Sequence, residues 1–347
     1  MPPLFGILVF IDEALASIFS YICNICLLYC VLKNYKPELK RLNMILIQNI
    51  TLDLILGMFP IISGMWMAFV DGKVYVLMTG LVKYTSYNFA CYSYCMYCAV
   101  LCLCVFAFPM QFYFRYKTLC REDKVPTYLH IGLWVILLTL ATIIFWGFWI
   151  AYSFQHDLST FNPKAAEVLS FYVGFDEDTP FVVAETSSFA FPGTFGFILI
   201  TYIISCGIVC YYALCISQFV HRNAAMTANF KHLYMMLHRT LMTQAALFFI
   251  AAVIPVTTMS IFSVFRIPNA YYLFALASSA FAWVSAINPC VSIYLIRPYR
   301  RFLIRTIKKN CFPNINLSNI SSIAVMTVNT KTTTAVGPTS ILKQSSK

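Results

Sequence analysis

Three polar residues stand where hydrocarbon is expected. Asp53 interrupts the apolar run 43–69, Asn24 the run 14–32, and Asn288 the run 270–296. A carboxylate inside a membrane is costly, so such a residue marks a function unless a partner is built for it. Counted from the nearest basic end of each run, Asp53 lies 11 residues in, or about 16 Å at helical rise. Asn24 and Asn288 come out at about 13 and about 12 Å. Three groups at nearly one depth predict one hydrogen-bonded cluster, with water or sodium completing it; separate local partners are the plainer alternative. Catalytic chemistry has less support. No GxSxG, HExxH or histidine box falls in an apolar run, and His232 and His238 sit in a loop. The chain is therefore read as no enzyme. The last run has no lysine for a retinal Schiff base.

The elements that must hold these groups follow from composition. The 347 residues are 60% hydrophobic and 11% charged, against about a quarter charged in soluble domains. So little charge cannot cover a water-exposed surface. Apolar runs at about 14–32, 43–69, 79–108, 127–152, 191–220, 241–265 and 270–296 each approach the length of a helical span. The fold class predicted is an all-α membrane protein, a seven-transmembrane helix bundle with a short amphipathic helix after the seventh span.

Basic residues set the direction. Twenty of the 24 lysines and arginines fall in the segments after the first, third, fifth and seventh runs, from Lys33 to Arg41, Arg115 to Lys124, Arg222 to Arg239, and beyond Arg297. The positive-inside rule places those segments in the cytoplasm and the N-terminus outside. The net charge of +11 thus belongs to a membrane face, and nucleic acid is not expected as a partner. Acids lean the other way, with Asp12, Glu13, Asp71, Asp157, Glu167, Asp176, Glu177, Asp178 and Glu185 at or near the outer side. No cleavable signal peptide is evident, since the N-terminus lacks a basic region. Most of the fourteen cysteines lie within apolar runs, as small hydrophobes do. No metal or other cofactor is expected.

Residues 1–311 read as one seven-transmembrane domain, and 312–347, rich in Ser, Thr and Asn, as a disordered cytoplasmic tail. The sequons at Asn316 and Asn319 are discounted on that side. Arg297 to Lys309 alternates Phe302, Leu303, Ile304 and Ile307 with arginine and lysine, a pattern that seats a helix on anionic lipid. Cys311 after it is either a palmitoylation site or a plain cysteine. Pro60, Pro255 and Pro289 fall within spans, where each removes a backbone hydrogen bond and permits a bend. Phe114-Arg115-Tyr116 is either an interfacial anchor or a charged lock facing the bundle.

Taken in order, Asn24, Asp53, Phe114-Arg115-Tyr116, Leu237-His238-Arg239-Thr240-Leu241 with Gln244-Ala245 and Pro255, and Asn288-Pro289 through Ile293-Tyr294 to Arg297-Pro298-Tyr299-Arg300 resemble a G-protein-coupled receptor. The closer resemblance is to the nematode serpentine chemoreceptors of the Str superfamily, the Srd family first and the Str family next, over about residues 15–305. That resemblance implies olfaction or a related sensory perception: a small molecule, odorant or pheromone, is captured outside and a heterotrimeric G protein activated inside. It implies the plasma membrane, sensory cilia included. It assigns Arg115, Pro255, Pro289 and Tyr294 to activation switches, and Arg115, His238 and Arg239 to the G-protein face.

Several departures from the rhodopsin-like pattern stand out. Phe114 takes the place of the usual acid, Tyr294 follows Asn288 by six residues with Ser292 in the nearer place, and no tryptophan stands near Pro255. The 153–190 segment has no cysteine for the usual disulfide. For ligand contacts, Lys83, Tyr84, Tyr87, Asn88, Tyr92, Tyr271 and Tyr272 offer aromatic walls with few polar groups, although tyrosines also form interfacial belts. The 153–190 segment is expected as a solvated loop, with a lid over the pocket as the other reading. The competing function is a membrane transporter or ligand-gated channel, which would favour inverted repeats or more intramembrane charge; neither is visible.

Overall fold

A computed structural model describes residues 4–33, 40–121, 126–153, 181–222, 228–265 and 271–311. The expected tail and most of the acidic 153–190 segment lie outside them. Seven helices among the described residues are long and apolar enough to cross a membrane. They belong to α1 (Leu4–Lys33), α2 (Lys40–Ser63), α3 (Tyr87–Cys120), α4 (Thr127–Ser153), α5 (Ala190–Arg222), a sixth rod and α8 (Tyr271–Leu295). The sixth rod is α6 (Ala228–Phe248), one π-turn (Phe249–Val253) and α7 (Ile254–Val264). The short helix expected after the seventh span is α9 (Arg297–Cys311).

Helix α3 is the axis. Its most apolar window is 83% buried, against 17% for α4, so α4 gives its side chains to lipid and α3 to protein. In hydrocarbon a helix keeps its backbone satisfied within itself, and the rods are then held by packing and a few polar bonds. Phe108 of α3 meets Phe248 of α6 edge-on at 5.2 Å, and Phe106 meets Tyr202 of α5 at 5.8 Å.

Two apolar runs do not stay helical. The run 43–69 ends as helix at Ser63, and Met65–Val70 forms strand β1, which pairs antiparallel with β2 (Lys73–Met78). The helical bundle thus carries one small sheet besides its spans. Asp71 and Gly72 turn the hairpin with φ of 47° and 79°; both central residues in the left-handed region make the I′-type turn that suits strand twist, and Asp-Gly is its preferred pair. At the other end the hairpin folds against the end of α2. Gly64 (φ 51°) donates to the Pro60 carbonyl at 2.9 Å, and Gly80 to that of Ser63 at 3.1 Å. A Cβ on Gly80 would stand 2.6 Å from the Ile62 oxygen, so only glycine fits there.

The third strand, β3 (Phe181–Glu185), comes from the 153–190 segment and pairs with β2 from Lys73↔Glu185 to Leu77↔Phe181. Val182, Val183 and Ala184 are buried. Here the solvated-loop expectation fails, because alternate β3 side chains join the apolar core.

Candidate functional site

Proline 289 organises the mid-depth polar groups. Lacking an N–H, it leaves the Ser285 carbonyl without its helical donor. Asn24 of α1 supplies one, its Nδ2 lying 3.3 Å from that oxygen. One residue on, Asn288 Nδ2 donates to Asp53 Oδ1 at 3.0 Å. Gln244 of α6 donates to both the Asn288 carbonyl and Ser292 Oγ at 2.9 Å. Asn24, Asp53 and Asn288 thus lie in one belt tying α1, α2, α6 and α8, although Asn24 reaches it through Ser285. Asn24 Oδ1 and Asn288 Oδ1 remain without partners. Gln244 and Ser292 complete the belt. Ser292 is fully buried while Tyr294 is 68% exposed, with the Arg300 guanidinium 5.7 Å from its ring.

At the end where the basic segments lie, α3 holds three neighbours through successive side chains. Gln111 and Asn49 of α2 exchange hydrogen bonds of 2.7 and 3.0 Å. Phe114 packs its ring 4.9 Å from His130 of α4, and His130 meets Gln48 at 2.7 Å. Arg115 Nη1 donates to the Leu237 carbonyl of α6 at 2.6 Å. His238, beside it, faces the Phe112 ring at 6.4 Å, while Arg239 is exposed. Arg115 Nε and His238 Nδ1 carry no partner. Just outside the third span, burial pushes the Cys120 thiol up to about 11, helped by Cys215.

Above this contact, Pro255 opens α7 directly after the π-turn. The wider turn takes up the backbone mismatch that a proline ring creates.

At the sheet end, Met67 of β1, Tyr94, Tyr97, Phe148, Tyr202 and Phe281 surround a space of about 40 Å³, room for about one water. The proposed ligand contacts lie elsewhere. Tyr84 is 85% exposed, Lys83 is half-buried, and Asn88 and Tyr92 face outward from α3. Tyr87 is half-buried and donates to the Tyr152 carbonyl at 3.2 Å. Tyr271 and Tyr272 begin α8, and their side chains lie outside the described set. Helical period would have found the inward residues: Tyr94, Tyr97 and Leu101 share one face of α3, and Tyr92 lies off it. A larger groove of about 380 Å³ between α3, α4 and α5, walled by residues such as Pro109, Leu133 and Ile208, opens on the perimeter.

Two of the acids expected at or near the outer side, Asp12 and Glu13, lie within the first span, which runs from Ile7 to Lys33. Asp12 accepts from Ser279 Oγ at 2.6 Å and Trp283 Nε1 at 3.1 Å of α8. Glu13 is 3% exposed.

With this geometry stands a match to the family described as serpentine type 7TM GPCR chemoreceptor Srd, over residues 11–305. The chain belongs to the Srd family. No curated protein matches it. The Srd chain is thus a multi-pass membrane protein with a chemoreceptor role, and its family is not an enzyme class.

Proposed function

We propose that this Srd protein captures a small molecule at the sheet end, outside the cell, and activates a heterotrimeric G protein at the basic end, inside. The observation that carries the reading is the Arg115–Leu237 tie across α3 and α6, placed below the π-turn and Pro255. A hinge in the sixth rod above a releasable polar contact is a two-state device, and a ligand that favours the bent state shifts the population. When the tie opens, Arg115, His238 and Arg239 face the G protein. The belt of Asn24, Asp53 and Asn288 around Pro289 sets how far α8 follows. Tyr294, outside the packed interior, acts through Arg300.

Residues 1–311 form the receptor, 312–347 its cytoplasmic tail, and α9 lies on anionic lipid of the plasma membrane. The test is second-messenger imaging of cells expressing the full chain against an odorant panel. Arg115→Ala should reach the surface yet lose the response; a full response from it removes Arg115 from the mechanism. Epitope tags supply the second check, since finding both termini on one face of the membrane would end the receptor reading.

A further inference from the structure

The small sheet roofs the sheet-end cavity. Met67 of β1 is part of the cavity lining, and residues 65–69, 74–78 and 182–184 of the three strands are all buried. Successive strand residues point to opposite faces, so both faces of the sheet are covered. The roof is also tied at its margins. Gly64 and Gly80 bond it to the end of α2, and Phe69 stacks on Phe274 of α8 at 5.9 Å. The way in from water is closed.

The wall toward the membrane is thinner. Most of the cavity lining is buried, but Phe195 of α5 and Val256 of α7 are half-buried. Both stand on perimeter spans, the fifth and sixth, whose most apolar windows are 28% and 22% buried.

The lining also selects by charge. None of its described residues is charged. Two of its three phenols are already engaged, Tyr94 with the Tyr152 hydroxyl at 3.2 Å and Tyr202 with Cys102 Sγ at 3.3 Å. A charged guest would lose its hydration here and gain no counter-charge. An uncharged, polarisable one loses little and gains contacts with rings and with the thioethers of Met67 and Met259.

We propose that a small uncharged apolar molecule enters this cavity from the bilayer, between Phe195 of α5 and Val256 of α7, and not from the water above the sheet. Partition into lipid concentrates such a molecule beside that door. The resting space has room for about one water, so a larger guest must push a wall outward. Met67 and Met259 have unbranched side chains that yield. Val256 and Met259 lie on α7, which starts directly after the π-turn, so the guest bears on the part of the sixth rod that pivots.

The proposal deepens the receptor reading, naming ligand class and route, and rests on the sheet end being the sensing end. The test uses the full-length protein in lipid nanodiscs, with empty nanodiscs as the blank. The probes are para-fluorotoluene, para-fluorobenzylammonium and para-fluorobenzoate, followed by fluorine NMR. Wild type should bind the neutral probe saturably and at least about tenfold more tightly than either ion. The Met67 and Met259 methyl resonances should shift as it binds, while that of Met110, in the perimeter groove, should stay. Val256→Ala and Phe195→Leu thin the door from its two sides, and each should speed exchange by about threefold or more, on- and off-rates together. Equal or tighter binding of an ion, unmoved Met67 and Met259 methyls, or exchange unchanged in both variants would overturn the proposal. If neither variant folds, para-fluorobenzyl alcohol decides the route. Uncharged but more soluble in water, it should associate more slowly than para-fluorotoluene at equal aqueous concentration, and equal rates would count against entry from lipid. Selective binding of the neutral probe without any second-messenger response in cells keeps the site and ends the receptor reading. Cellular responses to charged odorants alone keep the receptor reading and overturn the site.

Discussion

Replacing Asp53 by asparagine should stabilise the protein. In the native chain Asn288 Nδ2 donates to Asp53 at 3.0 Å while Asn288 Oδ1 has no partner. An amide at position 53 keeps the acceptor and adds a donor for that orphaned oxygen. The protein already contains such an arrangement, the reciprocal Asn49–Gln111 pair at 3.0 and 2.7 Å. One added buried hydrogen bond contributes about 1 kcal/mol, and the buried acid disappears as well. At roughly 2 °C per kcal/mol for a chain of this size, Asp53→Asn should melt about 2 °C or more above wild type. Asp53→Ala leaves both polar atoms of a buried amide unsatisfied, at about 1–3 kcal/mol, and adds a cavity; a fall of roughly 5 °C is expected. Thiol-reactive fluorescence melting in detergent reads both, because buried cysteines such as Cys30, Cys95 and Cys102 report unfolding. If Asp53→Asn melts as low as Asp53→Ala, the carboxylate is needed as a charge, and a bound cation rather than the Asn288 amide is its partner.

Other outcomes follow from single contacts. The Cys23 and Cys290 sulfurs lie 3.6 Å apart, so copper-phenanthroline should join α1 to α8, seen by mass spectrometry as one linked peptide pair; free thiols after treatment would contradict the docking of those helices. Gly80→Ala places a methyl against the carbonyls of Ile61 and Ile62 and should cost about 2 kcal/mol or more, read as a lower melting temperature; an unchanged one would refute the close approach. The cysteines from Cys23 to Cys290 are free thiols, and β3 is held by its hydrogen-bonded pairing with β2. A reducing agent should therefore leave the melting temperature within about 1 °C, and a clear drop would point to a covalent tie at the sheet end.

The bundle was legible because lipid imposes one demand, a long apolar helix, and composition answers it directly. The same demand hid the hairpin. Met65–Val70 is as apolar as a span, and hydropathy does not distinguish a buried strand from the end of a helix; the Asp71-Gly72 pair was the available signal. Depth counting brought Asn24, Asp53 and Asn288 to one level, since helical rise is constant. It could not show that Pro289 frees the carbonyl that Asn24 reaches, nor that Gln244 closes the belt, because those depend on how the rods are rotated. Rotation also explains Tyr92 and Glu13. A residue's face on a helix is fixed by the neighbours it packs against, so Tyr92 turned out to face outward and Glu13 inward. Pro109, inside α3, gave no reading of its own among the other prolines.

The succession Gln111, Phe114, Arg115 along α3 makes that helix the hub of a wheel, with α2, α4 and α6 as its spokes. A small twist of the hub would strain every spoke together, whichever one the stimulus first disturbed. A sensor wired in this way need not choose one route from its outer chamber to its inner face. Torsion of a single axle would serve stimuli that arrive from different sides.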